Sequence, residues 1–251
     1  MQLQAPKETE PVPGGHSSQD MIEFKIFDSK EAASVALAEH IAGRLESAVA
    51  KRGEATMIAS GGASPLATFR ALRRQRLPWH KVTVVPSDER LVPPDHGDSN
   101  EGMLRRELMQ EEAAAATLIS LAGAKNPEDM QLASLNARLA MLTTPLDIVL
   151  LGMGDDGHTA SLFPDSPDLA DALNSPDYCV LQRPSHLEAA RLSLTPALLL
   201  DAREIVLLFF GAGKRTVYQR AVAGGDVEEM PVRFVLQQQS APLKVFWAPD
   251  N

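Results

Sequence analysis

A carboxylate and an imidazole lie two positions apart, at Asp156 and His158, just after an apolar segment that runs from Asp147 to Leu151. An imidazole ionises near neutrality, so it can take up and return a proton, and a neighbouring carboxylate can orient it. The glycines at 152, 154 and 157 let the backbone turn sharply and come close to a ligand. The stretch therefore predicts an acid–base site, although a tight turn whose polar residues cap the next helix would use the same residue types.

A second glycine-rich stretch, Gly61-Gly62-Ala63-Ser64, lies between an apolar segment and the start of a predicted helix. Ser64 suits the N-cap of that helix and Pro65 its first position, where a missing N–H costs nothing. Exposed backbone amides at a helix N-terminus attract phosphate. The stretch matches neither a Walker loop nor a GxGxxG fingerprint, so it predicts an anion site without indicating a nucleotide. An ordinary strand-to-helix turn is the plainer alternative.

Three cations accompany other apolar segments. Arg90 follows Asp88 and Glu89, which can bond sugar hydroxyls, fix Arg90 in place, or form a solvated ion pair with it. Arg191 stands among apolar residues, so its charge must either reach outward to water or meet an anion. Lys214 falls in the first turn of a predicted helix, where the dipole disfavours a cation by ~0.3–1 kcal/mol. A lysine at that position is favoured if an anion occupies the helix end.

The intervening segments predict the elements that position these residues. Apolar residues at helical spacing run from Lys30 to Arg52, and Gly53 predicts the end of that helix. Strand-like apolar segments alternate with helical ones along the chain, at 22–27, 55–59, 81–85, 147–151, 204–210 and 243–247, and two further strands are predicted at 179–182 and 189–193. This alternation predicts an α/β fold: a mostly parallel, Rossmann-like sheet with helices on both faces, in a single domain.

The carboxyl ends of parallel strands share one edge of a sheet, and open α/β sheets bind ligands there. The glycines and charged groups described above belong to the loops that follow residues 59, 85, 151, 194 and 210. We therefore expect these loops to meet and to hold a small anion beside one acid–base group. That combination suits a small phosphorylated substrate that undergoes proton transfer.

The domain is predicted to span residues 21–251, because no stretch inside it is rich enough in Pro, Gly or Ser to act as a linker. Residues 1–20 contain little that could be buried, and they are predicted to form a disordered tail or a start-site extension. The tail also lacks the hydrophobic segment of a secretory signal.

Composition and charge argue against several classes of partner. The net charge of −9 disfavours nucleic acid and anionic membranes, and no apolar run approaches the ~20 residues that a membrane span needs. The six histidines show no metal-ligand spacing, so no metal site is predicted. Cys179 is the only cysteine and cannot form an internal disulfide, which favours a cytoplasmic location. Its apolar neighbours predict that it packs in the core.

Five motifs in order resemble the 6-phosphogluconolactonase family of the cytoplasmic type, which is related to glucosamine-6-phosphate deaminase. The resemblance covers about 22–248, and its most specific part is the GxGxDGHTASLFP pattern at 152–164. The other motifs are Ser60-Gly61-Gly62…Ser64-Pro65, Asp88-Glu89-Arg90…Pro93…Ser99-Asn100, Arg191-Leu192-Ser193-Leu194-Thr195 and Gly211…Lys214. One departure is mild: family members often carry Ser-Thr-Pro after the glycines, and here Ala63 replaces the first hydroxyl.

The resemblance implies hydrolysis of 6-phospho-D-glucono-1,5-lactone to 6-phospho-D-gluconate, a step of the oxidative pentose phosphate pathway, without a metal or another cofactor. It implies that His158 is the general base that activates water, while Asp156 holds either the imidazole or its loop. Arg90 is implied to line the same site. The phosphate is implied to bind the group formed by Arg191, Lys214 and the loop Gly61 to Ser64. The small sugar-phosphate lactone is thus the expected partner, and both a monomer and a homodimer stay open.

Two other functions fit part of the pattern. An aminosugar-phosphate deaminase/isomerase would share the fold and the phosphate loop, but that family carries a carboxylate five residues after the histidine, where this chain has Phe163. A non-catalytic sugar-phosphate sensor would keep Arg191 and Lys214 and could dispense with His158. The complete motif around His158 favours the lactonase.

Overall fold

The computed structural model describes residues 8–10, 22–121 and 131–250. The strands are β1 Glu8–Glu10, β2 Ile22–Ile26, β3 Ala55–Ala59, β4 Val82–Pro86, β5 Asp88–Arg90, β6 Thr117–Leu118, β7 Ile148–Gly152, β8 Cys179–Gln182, β9 Arg191–Leu194, β10 Ile205–Phe210 and β11 Leu243–Ala248. The α-helices are α1 Lys30–Arg52, α2 Leu66–Leu72, α3 Asn100–Glu107, α4 Leu132–Leu139, α5 Leu169–Asn174, α6 Pro196–Leu199, α7 Ala212–Val222 and α8 Arg233–Leu236. No helix within these ranges has the length and apolarity needed to cross a membrane.

Eight strands form the main sheet, in the order β1-β2-β11-β10-β7-β3-β4-β6. In this spatial order every pair of neighbouring strands is parallel, except that β1 pairs antiparallel with β2 at the edge. The expected mostly parallel, Rossmann-like sheet is therefore confirmed.

The central strands are apolar at successive positions because both of their faces are covered. In β7, Ile148 and Leu150 belong to one hydrophobic cluster, whereas Val149 and Leu151 belong to the other. Helix α1 contributes to the first cluster and α7 to the second. A parallel sheet requires such cover on both sides, which explains the continuous apolar runs in the sequence.

Helix α1 has the bounds that its sequence predicts. The Ser29 side chain accepts the Ala32 N–H at 3.1 Å and caps the first turn. Gly53 adopts φ +84°, and its N–H donates to the Val49 carbonyl at 2.8 Å, which ends the helix.

The chain reverses its course across the main sheet between β3 and β7. After β3 it moves outward through β4 to β6; it returns at β7 on the other side of β3 and continues through β10 to β11. Ligands bind at such a switch point, outside the carboxyl ends of the two strands. The two predicted glycine-rich loops leave from the ends of β3 and β7, so the topology places them side by side.

A second, antiparallel sheet of β5, β9 and β8 corrects one expectation. Residues 88–90 were expected in a loop after a parallel strand, whereas the strands predicted at 179–182 and 189–193 correspond to β8 and β9. Residues 88–90 instead form β5, which pairs with β9, so that Asp88 lies opposite Ser193 and Arg90 opposite Arg191. The cause is non-local pairing, because the backbone partners of these three charged residues lie on a distant segment that local spacing does not reveal.

The expected disorder of residues 1–20 is wrong for Glu8–Glu10. These residues form β1 and pair with β2 at positions 24–26. Pairing with a sheet edge uses backbone groups, so a polar segment can form it without burying apolar side chains. The remaining residues of the predicted tail lie outside the described ranges.

Candidate active site

A cavity of about 280 Å³ lies at the carboxyl edge of the main sheet, against the second sheet. Its walls contain every residue predicted for the site except Asp156 and Glu89. The predicted residues that line it are Gly61, Gly62, Ala63, Ser64, Asp88, Arg90, His158, Arg191 and Lys214. Segments that are far apart in the chain therefore share one cavity.

The His158 loop, defined here as residues 153–164, is bent so tightly that two of its positions require glycine. A Cβ on Gly154 would lie 2.1 Å from His158 Nδ1, while Gly157 adopts φ +84° with Met230 packed against it. The Gly154 N–H donates to the His158 carbonyl at 2.9 Å and closes the turn. The backbone thereby fixes where the imidazole lies.

Asp156 supports His158 without lining the cavity itself. Its Oδ1 lies 2.6 Å from His158 Nδ1 and accepts the His158 backbone N–H at 3.0 Å, so it holds both the ring and the loop. Burial raises the pKa of Asp156, but hydrogen bonds from the ring and amide of His158 outweigh it, and the pKa is lowered from its ordinary value. An ionised carboxylate at Nδ1 keeps the proton there, which leaves the Nε2 lone pair as the base.

Further contacts attach the His158 loop to its surroundings. The imidazole packs against Phe163, with ring centroids 4.2 Å apart. The Thr159 hydroxyl donates to the Gly152 carbonyl at 2.8 Å. The Ser161 hydroxyl donates to Asp88 Oδ2 at 2.6 Å, which ties the loop to the second sheet. The ring is therefore held by its loop, by a carboxylate and by an aromatic neighbour.

The loop after β3 offers backbone donors to the cavity. The amides of Gly61, Gly62, Ala63 and Ser64 donate no hydrogen bond to any described residue. Gly62 adopts φ +81°, and a Cβ on Gly61 would lie 2.3 Å from Asn100 Oδ1, so this close approach requires glycine. Unpaired amides beside a cavity are suited to bind the oxygens of an anion.

The helix after this loop begins one residue later than expected. Pro65 is the N-cap of α2, and no side chain caps the helix, so the expected N-cap role of Ser64 is wrong. The physical reason is that the Phe69 N–H donates to the Pro65 carbonyl at 2.9 Å, which makes Pro65 the first residue to accept a helical bond. Ser64 lines the cavity instead.

Two guanidinium groups line the same cavity from neighbouring strands. Arg90 and Arg191 lie opposite each other in the β5–β9 pair, where like charges repel. Burial, followed by the charge of Arg90, lowers the pKa of Arg191. The Nε atom of each arginine is buried and makes no hydrogen bond within the described residues. An anion in the cavity would offset both charges and accept from these donors.

Asn100 holds Arg90 and was missed as a site residue. Its Oδ1 accepts from Arg90 Nη1 at 3.1 Å, and its Nδ2 donates to the Asp88 carbonyl at 2.8 Å. The residue before it, Ser99, caps α3, because its hydroxyl accepts the Gly102 N–H at 3.0 Å. Asn100 is polar and follows Ser99, which already caps the helix. A second polar residue at that point was the signal that could have placed Asn100 in the site.

Lys214 enters the cavity from the first turn of α7. Its Nζ donates to the Met153 carbonyl at 2.6 Å, at the start of the His158 loop. Gly211 precedes the helix with φ +87°, and a Cβ there would collide with the Asp250 carboxylate. The helix dipole opposes a cation at this position, so a bound anion accounts for the lysine better than the helix alone does.

Glu89 is not part of the cavity wall. Its buried carboxylate accepts the backbone N–H groups of Asn100 at 2.7 Å and Glu101 at 2.6 Å, at the start of α3. Burial raises the pKa of Glu89, and these hydrogen bonds only partly offset that effect. The expected contact between Glu89 and a sugar hydroxyl is therefore corrected: the carboxylate caps a helix whose first amides lack other partners. Asp88 does line the cavity, with its oxygens bonded to the hydroxyls of Ser87 and Ser161.

Comparison with known proteins identifies the family to which the chain belongs. The family model described as "Glucosamine-6-phosphate isomerases/6-phosphogluconolactonase" matches residues 28–247. The chain belongs to this family.

Members of the glucosamine-6-phosphate isomerase/6-phosphogluconolactonase family match nearly the whole chain. A 6-phosphogluconolactonase of Rhizobium meliloti (strain 1021) is 41% identical over 226 residues, which cover 89% of this chain and 97% of that protein. A 6-phosphogluconolactonase of Mesorhizobium japonicum is 42% identical over 230 residues, covering 90% and 95%. The crystal structure of a 6-phosphogluconolactonase from Shewanella baltica OS155 has a TM-score of 0.85 and 38% identity, covering 90% and 97%. The resemblance inferred from the five motifs is confirmed.

Proposed function

We propose that this chain hydrolyses 6-phospho-D-glucono-1,5-lactone to 6-phospho-D-gluconate. The observation that carries the proposal is one cavity lined by a carboxylate-held imidazole, two opposed arginines and unpaired loop amides. A phosphate group accounts for the cations and the amides, and a reactive lactone carbonyl accounts for the base. The relatives reported above, all named 6-phosphogluconolactonases, support the same reaction.

The first chemical step uses water beside His158 Nε2. The imidazole removes a proton while the water oxygen forms a bond to C1 of the lactone, and negative charge develops on the carbonyl oxygen. Asp156 assists because its carboxylate stabilises the imidazolium that forms. General-base assistance of this kind contributes typically ~10²–10⁴-fold to the rate.

The second step opens the ring. The C1–O5 bond of the tetrahedral intermediate breaks, and the proton held by His158 passes to the departing ring oxygen. The lactone is an activated ester, so the reaction needs no covalent nucleophile, metal or other cofactor. The cationic side chains that line the cavity stabilise the oxyanion that exists between the two steps.

The phosphate end of the substrate is assigned to Lys214, Arg191 and the amides of the 61–64 loop. These groups come from three separate segments, so together they fix the distance between the phosphate and His158. Arg90 lies beside Arg191 and is held by Asn100, so its charge is available without a large change of side-chain position.

The reaction is tested with freshly prepared lactone at neutral pH. We expect the protein to accelerate loss of the lactone above the spontaneous rate, and to release no ammonia from glucosamine 6-phosphate in a parallel reaction. A folded preparation that leaves the spontaneous rate unchanged would contradict the proposal, and ammonia release would favour the deaminase alternative.

The site supports this reaction better than the two alternatives. The position where the deaminase pattern requires an acid is occupied by Phe163, whose ring packs against the imidazole. A sensor needs no general base, whereas here two glycines and a carboxylate serve to place one. We further propose a cytoplasmic protein, monomeric or homodimeric, without nucleic-acid or membrane partners, in keeping with its net charge of −9 and single cysteine.

A further inference from the structure

A second cavity, of about 420 Å³, lies at the opposite edge of the main sheet. It is formed by the carboxyl-terminal half of α1 and by the segments that lead into β7, β10 and β11. A five-residue strand spans about 16 Å, so this cavity is separate from the active-site cavity at the other end of the strands. Its volume falls within the range of small-molecule sites.

The lining of this cavity is strongly cationic, although the chain as a whole is acidic. Arg44, Lys51, Arg52 and Arg203 line it, with Asp147 as the one carboxylate among the lining residues that the structure describes. Positions 44, 48 and 51 lie on one face of α1, since residues four and seven apart stack along a helix. Arg203 approaches from the segment before β10.

Neighbouring carboxylates pair with the three arginines, but they leave two guanidinium Nε atoms without a hydrogen bond and Lys51 without a partner among the described residues. Asp147 accepts hydrogen bonds from Arg52 and from the Thr56 N–H, and Arg203 Nε lies 3.5 Å from it without a hydrogen bond. Lys51 makes no ion pair or hydrogen bond with any part of the chain that the structure describes.

The same holds on the β10 side of the cavity. Arg44 Nε is buried and lies 3.9 Å from Glu204 Oε2, again without a hydrogen bond. Glu204 is already engaged by His40 and by Lys244, whose Nζ lies 3.1 Å away. The side chains of Arg44 and Arg203 are 40% and 37% exposed, but each brings to this cavity one buried Nε that is within ion-pair distance of a carboxylate and makes no hydrogen bond. A ligand that accepts from these donors would offset their desolvation.

The helix dipole explains only part of the cluster. Cations are favoured at a helix C-terminus, which accounts for Lys51 and Arg52 in the last turn of α1. It does not account for Arg44, two turns earlier, or for Arg203, which belongs to another segment.

We propose that this cavity is a second anion site, which binds a small dianion through its phosphate group. The oxygens of a phosphate can accept from Arg44, Lys51 and Arg203 together, and guanidinium groups recognise phosphate in a bidentate manner. The ligand is either inorganic phosphate or a small phosphate monoester, because both present the same group.

The test is a titration of the isotopically labelled full chain with sodium phosphate, followed by NMR at constant ionic strength. The amides of Ala48 and Ala202 report on this cavity, and those of Gly154 and Ala160 report on the active site. We expect saturable shifts at Ala48 and Ala202. Shifts that sodium chloride reproduces, or no shift at these two amides, would overturn the proposal and leave the proposed function untouched.

A paired substitution sharpens the test. Lys51→Gln with Arg203→Gln should weaken phosphate binding at Ala48 and Ala202 at least tenfold, while the response at Gly154 stays unchanged. Arg76→Gln, at a surface arginine that is 90% exposed, is the matched control and should change neither response. Unaltered shifts at Ala48 in the double variant would contradict the assignment.

Glycerol phosphate, used in place of inorganic phosphate, distinguishes the two sources of the ligand. Tighter binding of the ester at Ala48 identifies a phosphate monoester as the ligand, whereas tighter binding of inorganic phosphate identifies the free ion.

Discussion

Arg90 and Arg191 face each other across β5 and β9, and their buried Nε atoms lack hydrogen-bond partners within the described residues. This arrangement lowers the free energy of unfolding of the protein without a bound anion, because two like charges lie together partly out of water. A bound phosphate would attract both guanidinium groups and so offset the repulsion between them. Residues placed in this way serve binding at the expense of stability.

Arg191→Gln separates these two roles. We expect KM for the lactone to rise at least tenfold with kcat changed only a few-fold, since the phosphate is bound equally in the ground and transition states. The free energy of unfolding should stay the same or increase, because a repulsion is removed. Steady-state kinetics and urea unfolding measure the two effects, and Arg183→Gln, at an exposed ion pair, is the control. An unchanged KM would rule out the phosphate role.

Asp156 makes the free energy of unfolding depend on pH. Because the folded pKa of Asp156 is lowered, its ionised form stabilises the fold above the ordinary carboxyl pKa, and this contribution is lost as pH falls through the lowered value. Asp156→Asn should therefore be less stable than the wild type at neutral pH, and the difference should narrow below about pH 4. Urea unfolding across this range tests the sign, and a gap that widens in acid contradicts it. Asp155→Asn controls for loss of a negative charge in the same loop.

At the scale of elements, α1 and the central parallel strands could be predicted from sequence because their signals are local. A cap at Ser29, a C-terminal Gly53 and continuous helical spacing define α1. The strand β5 could not be predicted, because three consecutive charged residues show neither apolar character nor alternation. Its pairing with β9 is set by a distant segment. The capping role of Glu89 is also non-local, because its carboxylate accepts from Ser99, Asn100 and Glu101, ten to twelve residues later.

Glu89→Ala tests the link between β5 and α3. The substitution leaves the buried amides of Asn100 and Glu101 without an acceptor, and each such loss costs about 1–3 kcal/mol. We expect the free energy of unfolding to fall by at least about 2 kcal/mol. Chemical denaturation measures it, with Glu112→Ala as the control, since that carboxylate is half exposed and lies 3.8 Å from Arg76. Equal effects of the two substitutions would contradict the capping role.

At the scale of the whole molecule, the site depends on one topological feature, the switch between β3 and β7. The sequence predicts that several loops share an edge, and the cavity confirms that Gly61, His158, Arg191 and Lys214 line the same space. The sequence predicts strands at 179–182 and 189–193, but it does not predict that they form a second, antiparallel sheet with residues 88–90. Pairing between distant segments leaves no signal in local spacing. The positions of the loops were thus predictable from the sequence, whereas the pairing of the second sheet that positions Arg191 was not.

The reactivity of the Cys179 thiol tests whether the native fold is intact. It is fully buried, and burial, followed by the charge of Asp88, raises the pKa of its thiol to about 12. Its backbone N–H and carbonyl are both bonded to the Asn136 side chain, at 2.8 and 2.9 Å. We expect no reaction with a thiol reagent at neutral pH until urea unfolds the chain, with labelling and loss of secondary structure coinciding. Rapid labelling of the native protein would contradict this.

The most direct test of the account is the kcat of His158→Asn with fresh 6-phosphogluconolactone, measured beside its free energy of unfolding. His186→Asn is the matched control, because His186 also has a carboxylate partner, Asp165 at 2.6 Å, but does not line the active-site cavity. We predict a fall of about 10²–10⁴-fold for His158→Asn with stability retained, and near wild-type activity for the control. A His158→Asn protein that keeps most of the wild-type kcat would show that this imidazole is not the base.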